Sequence, residues 1–203
     1  MKAKRSLLIT ALVMFCINFA ATSFYGFANV VAMLLQSSVT SPAFLWATFN
    51  SIVGVVVALL LIGACIGAFR GKGDLLAACA FFLCAVQNFL SFVPNWQVVL
   101  QSIGYPRQLF NLVGIDWLVG LAYVMIAIAA LLKWKAKTAG IIGAGAVLAV
   151  RVFAFFRALV YFLKAGIPLS HFLVSMVPNF LLCILMLQLG ILLFIMAQEK
   201  KTE

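Results

Sequence analysis

The strongest constraint on this chain is a run with no charge in it. Residues 43–69 read AFLWATFNSIVGVVVALLLIGACIGAF, without one Asp, Glu, Lys or Arg. An α-helix of about 20 apolar residues crosses the hydrocarbon core of a bilayer. Several runs of this kind succeed one another and account for nearly the whole chain. Across all 203 residues, 67% are hydrophobic and 9% are charged. A soluble domain carries about 25% charged residues. This chain has too little polar surface to cover itself in water, so its solvent is lipid.

The run boundaries predict six spans, at about 6–29, 43–69, 75–94, 109–132, 139–163 and 171–197. Met1–Arg5 followed by an apolar stretch resembles a secretory signal, but the apolar character continues too far for one. A retained first span is expected. Ser41 before Pro42 forms a helix-start pair. Between the third and fourth spans lies a segment too short to cross, with Trp96, Val99 and Ile103 on one face of a short surface helix. The expected fold is all-α: a single polytopic membrane bundle filling residues 1–203.

The net charge of +10 points away from nucleic acid once its distribution is examined. Lys2, Lys4, Arg5, Arg70, Lys72, Lys133, Lys135, Lys137, Lys200 and Lys201 fall on one side of a six-span chain. Only Arg107 and Lys164 fall on the other. Lys and Arg accumulate on the cytoplasmic side of membrane proteins. Both termini are therefore expected in the cytoplasm, and the location is expected to be a bacterial plasma or inner membrane. The asymmetry also supports the helix count, because one missed span would mix the two groups.

Small residues at four-residue spacing, Gly63 with Gly67 and Gly145 with Ala149, suit close helix packing. Cys16, Cys65, Cys79, Cys84 and Cys183 lie in apolar runs with no CxxC, so they read as small packing residues.

Polar residues within the spans form stripes. Asn18, Thr22, Tyr25 and Asn29 share a face of the first span, as do Asn88, Ser91 and Asn95 on the third. Asn50 and Ser51 lie in the second, Asp116 and Tyr123 in the fourth, and His171, Ser175 and Asn179 in the sixth. Most fall in the half of the membrane away from the basic loops. Two readings remain open: a water-accessible pocket in the outer half, or interhelical hydrogen bonds that hold the bundle together.

The fifth span carries two arginines, Arg151 and Arg157, and Asp116 is the only acid in any span. A charge at the bilayer centre costs at least ~2.5–3.5 kcal/mol on insertion scales, so a partner is expected. Asp116 is expected to pair with Arg151. Arg157, about 120° further round an ideal helix, is left over. It has three routes to satisfaction: snorkelling to the interface, bonds to carbonyls and amides, or an anionic ligand held by the guanidinium.

No catalytic constellation stands out, so no enzyme activity is expected. One histidine and scattered cysteines give no zinc or bis-histidine haem spacing, and no cofactor is expected. His171 with Ser175 lacks the other parts of a hydrolase. The residues expected to line a binding site are Asp116, Arg151, Arg157, Asn88, Ser175 and Asn179. Two functions are compatible with this set: binding or transport of a small anionic or zwitterionic ligand, or a non-transporting assembly factor, scaffold or subunit. The expected partners are the lipid bilayer, that ligand, and a partner membrane protein or a second copy.

Overall fold

The computed structural model of the protein describes residues 2–35, 42–166, 170 and 172–198, all of the assigned secondary structure being helical. Lipid offers the backbone no hydrogen-bond partners, so each segment satisfies its N–H and C=O groups internally. Helix α1 spans Lys2–Leu35, α2 Pro42–Ala68 and α3 Asp74–Phe89. A 3-10 turn at Val93–Asn95 leads into the short α4, Trp96–Gln101. Helix α5, Pro106–Leu109, runs through a π turn at Phe110–Gly114 into α6, Ile115–Leu131. Helix α7 spans Lys137–Lys164. The last pass is a π turn at Phe172–Met176, α8 at Val177–Asn179, a second π turn at Phe180–Leu185, and α9 at Met186–Ala197.

Among the described residues, five helices are long and apolar enough to cross a membrane. Ile115–Leu131 is a shorter apolar helix of 17 residues, or roughly 26 Å at 1.5 Å per residue. Helical turns continue N-terminally from it to Pro106. Regular α-helix in the third pass ends at Phe89 rather than running to Pro94. There the Trp117 indole donates to the Phe89 carbonyl at 3.2 Å and caps the exposed end.

The passes form a closed ring. Helix α1 packs on α2, α2 on α3, α3 on α6, α6 on α7, α7 on α9, and α9 back on α1. The closing contact is antiparallel, with Gly190 against Phe15 and Cys183 against Asn18. The N-terminal end of α1, the 70–73 turn, the 132–136 turn and the C-terminal end of α9 therefore share one end of the bundle. Lys4, Arg5, Arg70, Lys72, Lys133, Lys135 and Lys137 sit there. We call it the basic end.

Packing is tightest in the basic half. Phe15, Leu61, Phe81, Ile126, Trp134 and Phe194 are fully buried there. The 132–136 turn carries two non-glycine residues in the left-handed region, Lys133 at φ 49° and Trp134 at φ 63°. Burial of Trp134 holds that conformation. Its indole donates to Asp74 Oδ1 at 2.8 Å, and its ring meets Phe194 edge-on at 5.8 Å. The Lys137 ammonium donates to the carbonyls of Met196 and Gln198 at 2.7 and 2.6 Å. The two basic turns and the end of α9 are thus tied together. In the other turn, Gly73 has φ 118°, and a Cβ there would lie 2.5 Å from the Ala64 carbonyl oxygen. Only glycine fits.

The half away from the basic end is looser, above all along α7. Its buried residues are Gly140, Gly143, Ala144 and Val147, all in its first half. Close backbone approach uses Gly143, whose Cβ position lies 3.2 Å from the Ala122 carbonyl oxygen. Gly145, expected at a packing seam, meets nothing within 4 Å. The seam of α7 is therefore offset from the Gly145–Ala149 pair.

Candidate functional site

Arg151 and Arg157 both lie on the open half of α7. Three passes converge on Arg151. From α3, Asn88 is buried, and its amide nitrogen donates to the Cys84 carbonyl one turn back at 2.7 Å. That bond turns Oδ1 outward, where it accepts from Arg151 Nη2 at 2.7 Å. From α6, Asp116 places Oδ1 4.0 Å from Arg151 Nη1. Both charged side chains are about one-third exposed, at 31% for Arg151 and 35% for Asp116. The direct hydrogen bond goes to the neutral amide, and the carboxylate completes the charge balance from the outer limit of ion-pair distance.

Asp116 is placed by the turn before it. The π turn at Phe110–Gly114 ends at Gly114, where an added Cβ would run into the Phe110 ring. A π turn adds a residue to the helical repeat and re-aims the side chains beyond it. Asp116 comes two residues after Gly114, in the first turn of α6.

Arg157 stands apart from this cluster. It is exposed, and among the described residues it has no hydrogen bond or ion pair. It borders a cavity of about 300 Å³ between α7 and the start of α6. Helix α7 contributes Val150, Phe153, Ala154, Arg157, Ala158 and Tyr161, a single stripe at helical spacing, and α6 contributes Ile115. Ala154 and Ala158 form a low floor between the large side chains of Phe153 and Tyr161. Phe153 and Tyr161 are 64% and 68% exposed, so the cavity is a cleft on the outer wall of the bundle.

Asn179 is not among the residues that line this cleft. Asn179 is exposed in α8, and among the described residues no hydrogen bond joins it to Arg151, Asp116 or Asn88. His171 and the side chain of Ser175 lie outside the described residues. Other polar side chains within the apolar helices join neighbouring helices. Gln87 donates to Asn50 at 2.8 Å, and Asn18 donates to the Cys183 carbonyl at 2.7 Å. That carbonyl lies within the π turn of the last pass, where a neighbouring helix compensates the altered backbone bonding.

The sequence reading missed Gln188. It is buried in a run of apolar residues, and its amide donates to the Tyr123 hydroxyl at 2.6 Å. Its Oε1 is buried with no partner among the described residues. A single amide in LQLGILLFIMA was the available signal. Among the described residues, no three His, Cys, Asp or Glu side chains come together as a metal site would require.

The chain matches no protein-family model, no curated protein and no solved structure.

Proposed function

We propose that this chain is a multi-pass membrane protein, with six spans and both termini in the cytoplasm, that binds and carries a small anionic or zwitterionic molecule with an apolar body. The site is the open half of α7, away from the basic end. The location is a bacterial plasma membrane, and no catalysed reaction is assigned. One observation carries this reading: Arg157, within an apolar helix, borders a cleft and has no partner among the described residues. A cation in that position is costly, and an anion held by the guanidinium offsets the cost. Arg151, Asp116 and Asn88 form the fixed group beside it. Asp116, about one-third exposed, is the group assigned to exchange a proton or ion during transport.

The test is thermal stability of the purified protein in neutral detergent across a panel of short- and long-chain carboxylates, phosphates and amino acids. The reading requires a saturable rise in melting temperature that Arg157→Gln abolishes. No response to any of them, or the same response in the variant, contradicts it.

A specific observation favours a second reading, an assembly factor or subunit. Several polar stripe residues are already consumed by other passes, as in Gln87 with Asn50 and Asn18 with Cys183. Under that reading the exposed wall of α7 meets a partner helix. Phe156 is a second exposed ring on α7, and co-purification of a stoichiometric membrane partner, lost on Phe153→Ala with Phe156→Ala, separates the two.

A further inference from the structure

We infer that the ligand of the α7 cleft is a membrane amphiphile, its anionic head on Arg157 and its alkyl chain along the α7 stripe, entering sideways from the bilayer. This rests on the binding reading above and names the class of ligand.

The order of residues along the cleft carries the inference. From the end of α7 at Lys164 inward come Tyr161, then Arg157, then Ala154 and Phe153, then Val150 facing Ile115. Among the lining residues the polar groups lie toward the membrane surface and the apolar ones toward its centre, the Arg151–Asp116 pair standing outside the lining. Tyr161 to Val150 is eleven residues, roughly 16 Å along a helix axis. An amphiphile in the adjoining leaflet has the same polarity in the same direction. Arg157 is seven residues from Lys164, roughly 10 Å below the helix end, within reach of a head group drawn slightly inward.

Access points the same way. The walls of the cleft, Phe153 and Tyr161, are mostly exposed on the outside of the ring. A water-soluble anion would have to shed its hydration and pass through lipid to reach Arg157. A membrane amphiphile is already beside it. Its chain gains nothing from hydrophobic transfer, since lipid tails are as apolar as the cleft. Selectivity therefore comes from the charged head group, strengthened by the dry surroundings, and from the groove floored by Ala154 and Ala158.

The experiment uses the full chain reconstituted in phosphatidylcholine vesicles with nitroxide-labelled stearate, ionised at the pH used. The fraction of probe immobilised by the protein is compared with that of nitroxide-labelled phosphatidylcholine. The wild type should immobilise stearate with several-fold preference. Arg157→Gln should erase the preference, Arg157→Lys should restore part of it, and Ala154→Phe should reduce it by filling the groove while keeping the cation. Equal immobilisation of both probes by the wild type overturns the inference, as does a stearate preference that survives Arg157→Gln. Acetate and inorganic phosphate are tested in detergent alongside. If they stabilise the wild type but not Arg157→Gln while stearate shows no preference, the soluble-anion reading stands and the amphiphile is wrong. If no anion acts through Arg157, both fall.

Discussion

Arg151 donates to Asn88 at 2.7 Å while its nearest approach to Asp116 is 4.0 Å. The neutral amide, not the acid, makes the short contact with this cation. Asn88 can do so because the Cys84 carbonyl already accepts from its amide nitrogen and fixes the direction of its oxygen.

Asn88→Ala is therefore expected to destabilise the protein more than Asp116→Asn. Losing a hydrogen bond to a charged group costs about 1.5–3 kcal/mol. A partly exposed pair at the limit of contact is worth about 1 kcal/mol or less. Thermal or denaturant unfolding of the two variants in the same detergent checks the order. A larger loss for Asp116→Asn would show that the long-range charge dominates.

The Trp134–Asp74 bond links the two basic turns at 2.8 Å. Trp134→Ala should cost about 3–5 kcal/mol through loss of a buried ring. Asp74→Ala should cost about 1–3 kcal/mol. Made on top of Trp134→Phe, which has no indole donor, the Asp74 change should cost less, by the share that this bond contributes. A double-mutant cycle reads this coupling directly, and additive losses would count against the bond.

Two glycines give opposite expectations. At Gly190 an added Cβ would sit 2.7 Å from the Phe15 ring, whereas at Gly145 it would meet nothing within 4 Å. Gly190→Ala should lower stability by about 1–3 kcal/mol through overpacking. Gly145→Ala should be neutral or raise it by up to about 1 kcal/mol through helix propensity. Melting temperatures of the pair test the ring closure of α1 on α9 and the open space beside Gly145.

The membrane-helical character was legible because it rests on long apolar runs, which no tertiary context rewrites. The approach of Arg151 to Asp116 was legible for a similar reason: few charges occur in the runs, and a short hairpin joins their helices. Asn88 as the closer partner was not, because that depends on the rotation of α3 about its axis. Spacing alone did not give the seam of α7 either. Gly140, Gly143, Gly145 and Ala149 are all small, and only the packed ring distinguishes which of them face α6. The cleft depends on Ile115 of α6 standing opposite Ala154 and Ala158, a pairing of helices that spacing along α7 does not contain. The π turns left no recognised mark in the sequence, although one of them sets the aim of Asp116.

The central claim is that Arg151 belongs to the fold and Arg157 is held ready for an anion. The measurement that tests it most directly is the stability of Arg151→Gln and Arg157→Gln, each purified in neutral detergent without added anions. Arg151→Gln should lose about 1.5–3 kcal/mol with its bond to Asn88. Arg157→Gln should be unchanged or more stable, as expected of a residue kept for function at a cost in stability. A comparable loss in both variants would contradict the account and make Arg157 a structural residue.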